Sequence, residues 1–122
     1  MNCPCGSKKS YLSCCGHYIE HKNLPKTAEQ LMRSRYCAYA LNNIDYIHET
    51  MRGTPRQGFS KKQVELNNAH IKWQTLTILN ATDNTVEFEA SYIDEVGQAR
   101  NMREKSLFKQ KNNRWFYIGV ET

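Results

Sequence analysis

The chain has 122 residues, and its 17 Lys and Arg against 12 Asp and Glu leave a formal charge of +5. That length suits a single domain and excludes a large multidomain enzyme. No stretch approaches the ~20 apolar residues of a membrane-spanning helix, and Met1-Asn2-Cys3-Pro4-Cys5 lacks the charged and apolar regions of a secretion signal. A reducing, cytoplasmic setting is therefore expected, where clustered thiols serve as metal ligands or redox groups more often than as disulfides.

Four of the five cysteines lie in the first fifteen residues: Cys3 and Cys5, eight intervening residues, then Cys14 and Cys15. Two ligand pairs joined by a short loop can supply the four corners of a tetrahedral structural zinc site. Gly6 and Ser7 allow a sharp turn after the first pair, and Gly16 a tight exit after the second. Lys8 and Lys9 would offset the negative charge of four thiolates. So short a loop cannot bury a core of its own, so metal binding would supply most of its folding energy, roughly 10–16 kcal/mol in zinc-finger peptides. A labile disulfide, an iron–sulfur cluster, or His17 in place of Cys15 are the competing readings. The fifth thiol, Cys37, stands apart.

Cys3-Pro4-Cys5-Gly6-Ser7, with Tyr11 and Cys14-Cys15-Gly16, resembles the SEC-C motif, a small zinc-binding element. The resemblance implies Cys3, Cys5, Cys14 and Cys15 as ligands of one structural Zn2+. It also implies contact with a protein partner, the role of this motif in the SecA translocation ATPase. Lys8 departs from the motif by occupying a position that is commonly Gly.

Residues 16–26 read as a linker, setting residues 1–20 apart as the zinc-binding motif from a second domain over 21–122. Thr27-Ala28-Glu29-Gln30 has the form of a capping box. Ala28, Leu31, Met32, Tyr36, Ala38 and Tyr39 then share one side of a helix reaching about Leu41. Arg35 falls near the middle of that apolar side, where a charge must be paired, meet an anion, or snorkel past Tyr39 to water. Cys37 lies roughly opposite, which speaks against a ligand or nucleophile role. A second helix fits Asn43 to Met51, with His48 on its apolar stripe as a core residue or, less simply, an acid–base group. Arg52 to Gly58 reads as a loop, and Ser60-Lys61-Lys62-Gln63 opens a third helix ending near Ala69.

From His70 onward the period changes to two. Strands are predicted over Ile71–Ala81, around Val86–Tyr92, over Ala99–Lys111, and through Trp115, Tyr117 and Gly119, with turns at Asp83-Asn84 and Asn112-Asn113. Helices followed by an antiparallel meander make an α+β domain. Met102, Glu104, Ser106 and Phe108 share one side of the third strand, which makes Glu104 the expected partner of Arg35.

The run from Pro25 to Tyr36, with Trp73 and Trp115-Phe116-Tyr117, is similar to the YchJ-type family of bacterial proteins. That resemblance implies a SEC-C motif followed by a nuclear-transport-factor-2-like domain, in which helices cover a curved sheet to form a cone. Two functions are then expected. The first is an adaptor that uses the zinc motif for a protein partner. The second is a small-molecule binder or enzyme using a cavity around Arg35, Glu104, His48, Tyr36 and Tyr39. Nucleic-acid binding is a third expectation, weakened by the dispersal of the cations and by the two negative charges that zinc on four thiolates carries. A homodimer is compatible with such a domain.

Overall fold

The computed structural model describes residues 1–121. The amino-terminal loop is closed by an antiparallel bridge between Asn2 and Ser10 and runs through a 3-10 turn, Tyr11–Ser13, into α1 (Cys15–Ile19). There follow α2 (Ala28–Ala40), α3 (Ile44–Glu49), a single turn α4 (Thr54–Gln57) and α5 (Lys61–Asn68). The chain ends in a four-stranded antiparallel meander in the order β1 (Lys72–Ala81), β2 (Thr85–Ile93), β3 (Ala99–Lys111), β4 (Arg114–Val120).

Local chemistry sets these boundaries. Thr27 caps α2 by accepting from the Gln30 amide at 3.1 Å, and the Gln30 side chain reaches back to accept from the Lys26 amide at 2.7 Å. Asn43 and Ser60 cap α3 and α5 in the same way. Asn112 and Asn113, at φ of 52° and 64°, form the two-residue turn between β3 and β4, whose left-handed geometry matches the strand twist. Gly53, at φ 76°, turns the chain into α4. The expected loop at 52–58 therefore contains one helical turn, begun by Pro55 near its amino end.

The expected alternation holds in β2, where Val86, Phe88 and Ala90 are buried while Glu87 and Glu89 are half-buried. Register shifts between Trp73 and Thr75, between Ile78 and Asn80, and between Leu107 and Phe108 bend the sheet. The curved sheet wraps its apolar face around α2. The segment after α3 covers the β4 edge: Tyr117 donates its amide to the Thr50 carbonyl and accepts from the Arg52 amide.

Two expectations fail for a common reason. Residues 16–26 are not all linker, because Cys15–Ile19 is helical and Ile19 is 2% exposed. Cys37 does not face solvent; it is fully buried, as are Leu31, Ser34 and Ala38. Helix α2 has two buried sides, one against the sheet and one against the cysteine loop, α1 and α3. Small residues on that second side, Ser34, Cys37 and Ala38, let the neighbours approach closely. Ser34 Oγ bonds the Leu31 carbonyl at 2.8 Å and the Tyr46 hydroxyl at 2.7 Å, tying α2 to α3. One continuous core joins Cys5, Cys15 and Ile19 to Leu31, Ile47 and Phe88.

Candidate functional site

Two places concentrate chemistry, one on each buried side of α2. On the first, the Sγ atoms of Cys3, Cys5, Cys14 and Cys15 all lie within 4.8 Å of one another. This set could hold a metal ion. The Cys5–Cys14 separation is 3.7 Å, close to the ~3.8 Å edge of a tetrahedron with ~2.3 Å metal–sulfur bonds. Hydrogen bonds from Cys15, then Cys37, hold the Cys5 thiol well below its usual range, while the bonds of Cys15 with Cys37 and Cys5 push Cys15 up.

The loop geometry is held by Gly6 at φ 83° and Lys8 at φ 68°. Lys8 therefore sits in the left-handed region that favours glycine, which explains why Gly is usual there. Ser7 Oγ lies 3.1 Å from Cys14 Sγ. His17, the competing ligand, is exposed and turned to Asn23, whose Nδ2 lies 3.2 Å from its Nδ1.

Two groups near this cluster were not anticipated. Arg33 Nη1 donates to the Cys5 carbonyl at 3.0 Å and approaches Cys5 Sγ at 3.8 Å, while its Nε pairs with Glu29 at 3.0 Å. It brings a positive charge to the thiols, the task expected of Lys8 and Lys9. Cys37 Sγ lies 3.4 Å from Cys3 Sγ, shorter than a tetrahedral edge, and Cys37 falls outside the four-thiol set. The spacing of Leu31, Ser34 and Cys37 was the available signal for this second buried side.

On the other side of α2, a part-open cavity of about 370 Å³ lies between the helix and the sheet. Arg35, Tyr36, Tyr39 and Glu104 all line it, as the sequence suggested, together with Trp73, Phe88, Phe108, Tyr117 and three methionines. His48 is not among the lining residues; it sits half-buried, stacked on Phe59 with ring centroids 5.5 Å apart. Its stripe on α3 packs beside the cavity rather than into it.

The expected Arg35–Glu104 ion pair does not form; no salt bridge reaches Arg35 among the described residues. Instead Arg35 Nη1 donates to the Ile47 carbonyl at 2.8 Å and to Thr50 Oγ1 at 2.7 Å, and the guanidinium carbon lies 4.6 Å from the centre of the Tyr117 ring. The Ile47 carbonyl, freed at the end of α3, and the Thr50 hydroxyl take the donor that a carboxylate was expected to take. Glu104 Oε2 accepts from Ser106 at 2.6 Å and Tyr117 at 3.5 Å. Trp73 is fixed by its indole N–H bond to Asn68 at 2.9 Å and by edge contacts with Tyr36 and Tyr39.

A cysteine knuckle seated on a helix-covered, curved antiparallel sheet defines a SEC-C motif joined to a nuclear-transport-factor-2-like domain. The model of the YchJ middle NTF2-like domain matches residues 27–119. A UPF0225 protein of Deinococcus radiodurans is 40% identical over 116 residues, covering 95% of this chain and 85% of its own. One from Haemophilus influenzae is 37% identical, covering 96% and 75%. The solution structure of a SEC-C motif containing protein from Rhodopseudomonas palustris superposes with a TM-score of 0.88 at 34% identity, over 100% of this chain and 98% of that one. A crystal structure from Psychrobacter arcticus shares the fold at a TM-score of 0.78 and 24% identity, over 100% and 84%. The chain belongs to the YchJ family of UPF0225 proteins.

Proposed function

We propose that this protein binds a small molecule in its cone and that a structural zinc ion braces the helix forming the cone's roof. The cavity is the observation that carries this reading: an apolar chamber of about 370 Å³ with a buried guanidinium at its wall, within the ~300–1,000 Å³ range of ligand pockets. Among the described residues its lining contains no histidine, cysteine or lysine, and Glu104 is already engaged by Ser106 and Tyr117. Binding therefore fits better than proton or acyl transfer.

Cys3, Cys5, Cys14 and Cys15 would hold the zinc, whose chemistry here is that of a cross-link with no open coordination position. Arg33 and Cys37, both on α2, pack against those ligands, so the loop and the roof helix stiffen together. A second reading, contact with a protein partner through the knuckle, draws on the exposure of Met1 (77%) and Leu12 (57%) next to Lys8 and Lys9.

Titration of the zinc-loaded chain with N-phenyl-1-naphthylamine, a neutral fluorophore, tests the cavity reading. One saturable site is expected. Ala90, 1% exposed on the cavity wall, supplies the control: Ala90→Phe should weaken binding at least tenfold while the protein still melts cooperatively. Absence of saturable binding, or an Ala90→Phe protein that binds like the parent, would overturn it.

A further inference from the structure

Resting on the cavity reading above, we infer that the ligand is a flat, apolar monocarboxylic acid carrying a hydrogen-bond donor at its far end.

The first observation is the state of Arg35. It is 6% exposed, and its two hydrogen bonds to protein both leave from Nη1. Nε and Nη2 have no acceptor among the described residues, yet no buried side-chain nitrogen or oxygen of those residues lacks a partner. These two nitrogens therefore open onto the cavity that Arg35 lines. A guanidinium buried to this degree is costly without a counter-charge, and none pairs with it. Two N–H groups in a fixed fork match the two oxygens of a carboxylate. One face of the planar guanidinium is covered by the Tyr117 ring, which leaves the edge carrying Nε and Nη2 for the acid.

Glu104 supplies the second constraint. Its Oε2 is occupied by Ser106 and Tyr117, while Oε1 accepts nothing from the described residues. A carboxylate in the same chamber repels a second negative charge, so phosphate esters and dicarboxylates are disfavoured. It favours a hydroxyl or amine donor. Between the two charges the walls are flat rings, Trp73, Tyr36, Phe88 and Phe108, with Met32 and Met102 to adapt around a planar body.

The probe is 4-hydroxyphenylacetate, titrated calorimetrically into the zinc-loaded chain alongside its neutral isostere 4-hydroxyphenylacetamide and the dianion phenyl phosphate. The acid should bind one to one. The amide should be at least about tenfold weaker, the cost of losing a charge-assisted pair, and phenyl phosphate weaker again. Arg35→Gln should abolish the preference for acid over amide, and Arg35→Lys, which keeps the charge in case Arg35→Gln does not fold, should retain part of it. Glu104→Gln should admit phenyl phosphate. If the acid and amide bind equally while the neutral fluorophore still enters the cavity, the acid inference falls and the cavity reading stands. If neither the acid nor the fluorophore binds, both fall together.

Discussion

Gly16→Ala sets two effects of opposite sign against each other. In an unconstrained helix the change stabilises by about 1 kcal/mol, because glycine gives up more backbone freedom on folding. Here a β-carbon would stand 2.8 Å from the Tyr11 carbonyl oxygen and 2.9 Å from its ring, where ordinary contact needs about 3.4 Å or more. Tyr11 cannot easily retreat: its carbonyl accepts from the Cys14 amide at 3.0 Å, and its hydroxyl bonds Glu20 at 3.0 Å. Overpacking costs about 1–3 kcal/mol, and against a fixed carbonyl oxygen at 2.8 Å the upper part of that range, about 2–3 kcal/mol, applies, so a net loss of roughly 1–2 kcal/mol is expected. For a chain of this size that corresponds to a fall in Tm of about 4–8 °C. Because Cys14 and Cys15 ride on the same turn, bound metal should also be lost at a lower chelator concentration. Thermal melts of the metal-loaded variant and parent, with a parallel chelator titration, provide the check. A variant more stable than its parent would refute the packing argument.

Three further outcomes follow from the geometry. Lys8→Gly relieves a left-handed backbone strain and should stabilise by about 0.5–1 kcal/mol in chemical denaturation; a loss of stability would count against it. Metal analysis should find one zinc per chain in Cys37→Ala and almost none in Cys14→Ser; the reverse would exchange the ligand and the bystander. Burial pushes the phenols of Tyr36 and Tyr46 up to about 12. In the unfolded chain they ionise near 10, so the folded state favours the neutral form, and its full stability below pH ~10 falls as the pH rises through about 12. Burial raises Tyr11, Tyr18, Tyr39 and Tyr117 as well, so absorbance at 295 nm should show most of the phenol titration occurring late, together with unfolding, and early titration of most phenols in a still-folded protein would contradict their burial.

Much of this was legible in the sequence because it is local. The cluster of four thiols, the caps at Thr27 and Ser60, and the strand from Ala99 to Lys111 are set by neighbours a few residues away. What escaped depends on contacts distant in sequence. Cys37 reads as a position away from the apolar side until the knuckle is laid on α2, and Arg33 is one of the dispersed cations until Cys5 is brought beside it. Arg35 and Glu104 were correctly placed on inward-facing positions of their elements. Periodicity names a face but not a distance, and the end of α3 reached Arg35 before the carboxylate did. His48 failed similarly: a helical stripe is wider than the cavity it borders.

The most direct test uses the four methionines. Met32, Met51 and Met102 line the cavity, whereas Met1 stands 77% exposed at the knuckle. With methyl-labelled methionine and zinc-loaded protein, addition of N-phenyl-1-naphthylamine should move the NMR signals of the three cavity methyls and leave Met1 in place. Shifts at Met1 alone, or none at any methyl, would contradict a binding site in the cone.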